Sequence, residues 1–223
     1  MDILDQILDF YKREADYYLT TIFPPFPEIE KACGVPKEDW LDVARCKSYL
    51  EKNWIDEDEY HKIWEPIQTS IFLNRTPIQV FEKPATVFNS NYTVKGYLGG
   101  QAFYSKAEFL RFQRYLAQIG EQRFVIIEDI AWGPFPIRLR LDAGLSWEEL
   151  LSYGFFYLIV MNHFFTNFYL YSESRLWGQF VACECKYPYN YLGIKNERAD
   201  LFTMFEQYLP EDEILYEGGL YRD

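Results

Sequence analysis

The chain has 223 residues, 49% of them apolar and 20% aromatic, with 22 basic against 34 acidic side chains and a net charge of −12. That apolar share excludes wholesale disorder. The acidic balance excludes nucleic-acid binding and attraction to an anionic membrane surface, because both need basic patches. The excess is concentrated at the start: residues 1–66 hold 16 acids and 8 bases, residues 67–223 hold 18 and 14.

A first helix is predicted from Ile3 to about Thr20, capped by Asp2, with Ile3, Leu4, Ile7, Leu8, Tyr11, Ala15, Tyr18 and Leu19 in its apolar stripe. Pro24-Pro25-Phe26-Pro27 ends it as a stiff extended linker. A second helical run is expected over Trp40 to Lys52. The four-acid run Asp56-Glu57-Asp58-Glu59 reads as a helix N-terminus, where acids favour the dipole. It lacks the alternation and mid-loop glycine of a calcium loop. Tyr60, Ile63 and Trp64 supply the buried side of this helix, and Pro66 is expected to stop it.

The pattern changes near Thr69. Strands are expected over Ile78 to Glu82, Ala85 to Asn89 and Tyr92 to Leu98. Ser105 and Glu108 have capping-box spacing at the head of a helix that Gly120 closes. Arg123 to Ile130 reads as a central strand. Ile137 to Leu141 alternates, placing Arg138 and Arg140 on one face, where Glu128 is their expected partner across the sheet. Ser146 and Glu149 form a second capping box. The helix that follows is apolar on most sides, but its run from Gly154 to Phe165 is broken by Asn162 and His163. It is short of the roughly 20 residues a membrane span needs. An aromatic strand over Asn167 to Glu173, a break at Ser174 to Gly178 with Gly178 supplying a positive φ, and a return strand over Gln179 to Cys185 form a hairpin. An aromatic loop over Tyr187 to Tyr191, a last helix capped by Asn196 and a loose tail complete the chain. Helices first, then strands in hairpin-like clusters, give an α+β class: a mainly antiparallel sheet packed by helices, with a helical N-terminal segment. The whole is expected to be one domain, with residues 1–66 as its helical part and 67–223 as its mixed core.

The four cysteines are Cys33, Cys46, Cys183 and Cys185. Without a secretory leader the thiols are expected to be reduced and the protein cytoplasmic. Cys183 and Cys185 have no matching second ligand pair, and the two histidines, His61 and His163, have no metal-ligand spacing, so no metal and no cofactor are expected. No nucleophile–base motif, zinc-protease motif or dinucleotide fingerprint occurs, and no catalytic residue is assigned. Glu128 and Asp129 are adjacent on a strand and face opposite ways, so they do not form a pair.

Trp132-Gly133-Pro134, Ser146-Trp147-Glu148-Glu149-Leu150, Phe168-Tyr169-Leu170-Tyr171 and Trp177-Gly178-Gln179-Phe180-Val181-Ala182 together resemble bacterial immunity proteins of polymorphic and contact-dependent toxin systems, and related bacterial families. The resemblance spans about residues 123–194. It implies a cytoplasmic α+β protein that neutralises a toxin by binding it, without catalysis. Acidic side chains would meet a basic protein surface around an aromatic anchor. Candidate contact residues are Glu173, Trp177 and Glu184 at the hairpin and the Asp56, Glu57, Asp58, Glu59 run. The competing reading of Trp177 is a plug in the core. A ligand-binding or enzymatic alternative would use a pocket containing Glu128, Arg138, Arg140 and His163. A scaffold or oligomer subunit is the third reading. Oligomeric state is not fixed by the sequence.

Overall fold

The structure, a computed structural model, describes residues 2–17, 43–73, 84–98, 106–129, 134–147, 149, 167–182, 189–209 and 214–217. The chain gathers into two compact units. One comprises Met1–Trp54, Phe103–Leu110 and Leu145–His163; the other comprises Ile55–Ala102, Arg111–Gly144 and Phe164–Asp223.

In the first unit, α1 (Ile3–Tyr17) and α2 (Val43–Asn53) each turn apolar residues inward, although Ile3, expected in the stripe of α1, is 52% exposed. Ile7 and Leu8 on α1 and Cys46, Tyr49 and Leu50 on α2 are buried. Lys47 Nζ donates to Asp5 Oδ1 at 2.6 Å between them. The capping box at Ser146 is present in both directions: Glu149 N–H donates to Ser146 Oγ at 3.0 Å, and Ser146 N–H to Glu149 Oε2 at 3.1 Å. The body of that helix lies outside the described residues.

In the second unit the chain forms α3 (the consecutive stretches Glu57–Glu59, Tyr60–Trp64 and Glu65–Ile71), then a 3₁₀ turn at Pro84–Val87, β1 (Tyr92–Leu98), α4 (Lys106–Gln118, which begins in the first unit), β2 (Arg123–Glu128) and β3 (Arg138–Asp142). β4 (Phe168–Tyr171), β5 (Trp177–Ala182), β6 (Tyr189–Lys195), α5 (Asp200–Glu206) and β7 (Ile214–Glu217) follow. The strands make one sheet in the order β3-β2-β4-β5-β6-β1-β7, antiparallel at every pairing. The expected α+β class with a mainly antiparallel sheet is the observed one.

Strand alternation sorts the sheet into two faces. One carries Val125, Ile127, Tyr169, Tyr171, Phe180 and Tyr191, which form a core with Ile55, Trp64, Ile67, Ile71, Phe72, Val87, Phe88 and Tyr92. The other carries Phe124 and Trp177, both against Phe112 of α4 at 5.3 and 5.7 Å between ring centroids, and Tyr97 against Phe205 of α5 at 5.1 Å. Gly120 closes α4 as expected, with φ 80°. Its N–H bonds Ala117 O and the Glu121 N–H bonds Leu116 O, so two of the last-turn carbonyls are met.

α3 is continuous through Pro66. An α-helical start at Glu57–Glu59 passes into a π turn, Tyr60–Trp64, and then an α-helical stretch, Glu65–Ile71. The Glu65 N–H reaches back five residues to Tyr60 O. That wider turn precedes the proline, whose ring nitrogen can donate nothing in any helix. Pro66 therefore sits in the first turn of the last stretch, the one helical place that tolerates it, and does not stop the helix.

Phe72, at the end of α3, pairs in an isolated antiparallel bridge with Phe88, their rings 4.9 Å apart. The two rings lie against Gly178 and Gly193, which face each other across β5 and β6. A Cβ on Gly178 would lie 2.6 Å from Ile71 and 2.7 Å from Phe72, and one on Gly193 would lie 2.3 Å from the Phe88 ring. Gly178 is therefore a strand residue that admits the close approach of Ile71 and Phe72, not the turn residue expected from the sequence. The positive φ of this hairpin belongs to Arg175, at 59°. The stretch Ala85 to Asn89, expected as a strand, is the 3₁₀ turn with a single bridge at Phe88, because Pro84 sets a helical φ at its head. Tyr189 to Tyr191, expected in a loop, open β6. Asn196 does not cap the last helix by its side chain: its Oδ1 accepts from Thr93 Oγ1 at 2.8 Å. Ile214–Glu217 of the expected loose tail pair with β1, with a register shift at Gly96/Tyr97. The expected strand Ile78 to Glu82 lies outside the described residues.

Gly193→Ala should destabilise the fold by about 1–3 kcal/mol in urea, the usual cost of overpacking. Gly144→Ala, which meets nothing within 4 Å, should cost much less. Equal effects of the two would contradict the close approach of Phe88.

Candidate functional site

The four-acid run begins α3 and lies beside the face of β3 that carries Arg138 and Arg140. Asp56 is the N-cap: its backbone is extended, and its Oδ1 accepts the Glu59 N–H at 2.8 Å. The Ile55 N–H bonds Arg138 O at 3.0 Å, which pins the start of the run to the sheet edge. Arg138 then pairs with Glu57, and Arg140 with Glu59. The Arg138 side chain is only 13% exposed, and its guanidinium stacks over the Tyr60 ring at 3.9 Å from the centroid. Glu59 Oε1 also accepts the Trp64 indole N–H at 2.9 Å. Two sets of residues that the sequence assigned to different functions are thus one arrangement.

Arg138 and Arg140 share a face, as their spacing predicts, but Glu128 is not their partner. The register sets Ile127 opposite Arg138 and Val125 opposite Arg140, so Glu128 belongs to the alternate set. Its Oε2 accepts the Ile137 N–H at 2.8 Å. Asp129 accepts from Tyr169 Oη at 2.6 Å. Burial raises its pKa against the hydrogen bonds from Tyr169 and Asn167, which lower it.

Two tyrosine hydroxyls bind the inner side of α3. Tyr60 Oη donates to Gln68 Oε1 at 3.2 Å, and Tyr171 Oη lies within hydrogen-bond reach of Trp64 O at 3.1 Å and Gln68 Oε1 at 3.3 Å. On the outer side, His61 lies between Glu57 and Glu65. Nε2 is 2.8 Å from Glu57 Oε1, and Nδ1 is 2.7 Å from Glu65 Oε2. The hydrogen bonds to Glu65 and then Glu57 raise the His61 pKa above 6.5. The Arg138 hydrogen bond holds Glu57 below the ordinary carboxylate value, against its desolvation. Asp58 points to solvent, its side chain 87% exposed, with Lys62 at 3.6 Å as its neighbour one turn on.

At the hairpin, Glu173 pairs with Arg123 at 2.8 Å on the surface. Trp177 is 0% exposed. Its indole N–H donates to Glu121 Oε1 at 3.0 Å. It is the core plug of the two readings, and a surface anchor role is closed to it. Glu184 and His163 lie outside the described residues, as do Cys183 and Cys185. The residue that sequence reasoning missed is Glu121, whose Oε1 also accepts from Ser172 at 2.7 Å and from Ser174. It ties the exit of α4 to the β4–β5 turn. Its only sequence mark is its place just after the Gly120 stop. The Glu57–His61–Glu65 series was visible as a four-residue repeat but was not singled out.

Among the described residues no group of three or more His, Cys, Asp or Glu could hold a metal ion, and no helix is long and apolar enough to cross a membrane. No protein-family model, curated protein or solved structure matches this chain.

Glu121→Ala should cost about 1–3 kcal/mol, since it leaves the buried Trp177 indole N–H without its acceptor. Glu121→Gln, which keeps one carbonyl oxygen, should cost less. Urea unfolding followed by tryptophan fluorescence measures both. A neutral Glu121→Ala would contradict the three-donor arrangement.

Proposed function

We propose that this chain is a protein-binding module of the immunity type, acting in the cytoplasm to neutralise a basic toxin by covering it with an acidic surface. The observation that carries the reading is the unequal use of the four-acid run. Glu57 and Glu59 are tied to Arg138 and Arg140, while Asp58 is left 87% exposed on the helix they hold in place. Asp56 is also exposed, although its carboxylate caps the helix. Acids fixed on a seated helix lose little freedom when a partner arrives, and this preorganisation favours affinity. Their charge also steers a cationic partner toward the helix.

Two features fit this reading better than the pocket alternative. Arg138 and Arg140 are already paired with carboxylates, so an anion would have to displace Glu57 and Glu59. Glu128 is committed to a backbone N–H. Ile63, expected on the buried side of the helix, is instead 48% exposed on the same helix as the acids, and it replaces Trp177 as the apolar contact. An exposed aliphatic side chain on a charged helix can form the apolar centre of a small contact patch.

Capture of the tagged chain from lysate of its own organism, read by mass spectrometry, should yield one stoichiometric basic protein whose retention falls in high salt. Asp58→Lys should weaken that association by about threefold to tenfold, mostly through slower encounter. A blank where the partner is expressed, or binding indifferent to both salt and Asp58→Lys, would contradict the proposal.

A further inference from the structure

We infer that His61 is a proton-operated latch on the acidic helix: protonated, it braces the π turn and masks Glu57 and Glu65; deprotonated, it releases one of them and makes the helix more acidic. The effect on partner binding rests on the reading given under Proposed function; the latch itself does not.

The geometry sets the protonation state. Both imidazole nitrogens lie within 2.8 Å of carboxylate oxygens, Nε2 on Glu57 and Nδ1 on Glu65. A neutral imidazole carries one N–H and one lone pair, so it can donate to only one of them. The other nitrogen would then present a lone pair to an ionised oxygen. Only the imidazolium satisfies both contacts at once.

The place of the brace gives it a mechanical consequence. Glu57 lies in the α-helical start of α3, His61 inside the π turn, and Glu65 at the head of the last α-helical stretch. The series therefore spans the irregular turn from outside, while Glu59–Trp64 and Tyr60–Gln68 tie it from inside. The charged and titratable groups around His61 are few. On its own helix they are Glu57 and Glu65, with Asp58 and Lys62 as neighbours, and the Tyr60 ring at 5.3 Å. From β3 there is Arg138, which shares Glu57 and stacks on Tyr60. Glu59 is turned to Arg140. Glu57 has a second cation when the imidazole loses its proton, whereas Glu65 has no other ion pair among the described residues. Glu65 is therefore the carboxylate set free.

The sign follows from the raised His61 pKa. The brace is complete below the ordinary histidine value of 6.5 and is lost as pH rises through the higher folded value. One proton lost from His61 adds one negative charge to the exposed side of the helix. Attraction for a polycation should therefore rise with pH across that window, while the π turn loosens.

The test is an NMR titration of the full-length chain with ¹⁵N-labelled histidine, His61→Gln assigning the signal. His61 should titrate above 6.5, with both ring nitrogens protonated on the acid side of that titration, and Glu65→Gln should lower it. Titration at or below 6.5, or a value unmoved by Glu65→Gln, overturns the latch whatever the chain binds. The same samples are titrated with decalysine, which stays cationic throughout. Affinity should rise by about twofold to fivefold as His61 loses its proton, the reach of exposed ion pairs. His61→Gln should abolish that rise. Decalysine binding that ignores the His61 titration overturns the masking of charge. A high His61 titration without decalysine binding at any pH upholds the latch and overturns the protein-binding reading instead.

Discussion

Two arginines on the core face of a sheet are the constraint from which the rest of this site follows. Register sets Arg138 and Arg140 opposite Ile127 and Val125, on the face that carries Tyr169, Tyr171 and Phe180. A guanidinium cannot shed its charge, and a largely buried one demands a carboxylate and filled hydrogen bonds. The strand is at the sheet edge, so the partners can arrive from outside it. They arrive on α3, as Glu57 and Glu59. Once those pairs form, Tyr60 lies under Arg138, Trp64 turns its indole to Glu59, and Ile67 and Ile71 enter the aromatic core. At the far end of the helix the Phe72–Phe88 bridge lodges against Gly178 and Gly193. Charge anchors one end of α3 and shape the other.

The same pairing divides the acidic run by function. A net charge of −12 suggests a diffuse acidic surface, but the charges on this helix are not equivalent. Glu57 and Glu59 are consumed within the fold, Asp56 holds the helix start, and Asp58 is left to solvent. Surface electrostatics useful to a partner must come from charges the fold does not already use, and here the fold uses three of the four acids in the run. Breaking an internal pair would cost stability, whereas changing an outer acid costs little. The outer side of this helix can therefore vary without threatening its own support.

Local chemistry was legible in the sequence, and long-range approach was not. The Gly120 stop, the Ser146 box, the strand Tyr92–Leu98 and the shared face of Arg138 and Arg140 depend on residues within a turn or two of each other, and each stands as read. Pro66 was misread because the rule for helix interiors takes no account of a π turn that brings it to a first-turn position. Gly178 was read as a turn residue because a glycine beside a tryptophan suits a turn. Its reason is Ile71 and Phe72, more than a hundred positions away in the chain. The partner of the arginines was sought across the sheet, at Glu128, because strand neighbours are the nearest candidates in a linear reading. Period-two alternation, visible in the sequence, excludes Glu128 once the register is known. Trp177 was held open between surface and core. Its acceptor, Glu121, is 56 residues away, and no local pattern joins them.

The internal ion pairs, and not hydrophobic contact alone, seat α3 on the sheet edge. A double-mutant cycle on Glu59→Gln and Arg140→Met, read by urea unfolding, tests it most directly. The two side chains are 22% and 28% exposed, too sheltered to be screened as surface charges are. The account predicts a coupling of about 1–3 kcal/mol that survives in high salt. A coupling within about 0.5 kcal/mol of zero would contradict it, and α3 would then be held by its apolar side alone.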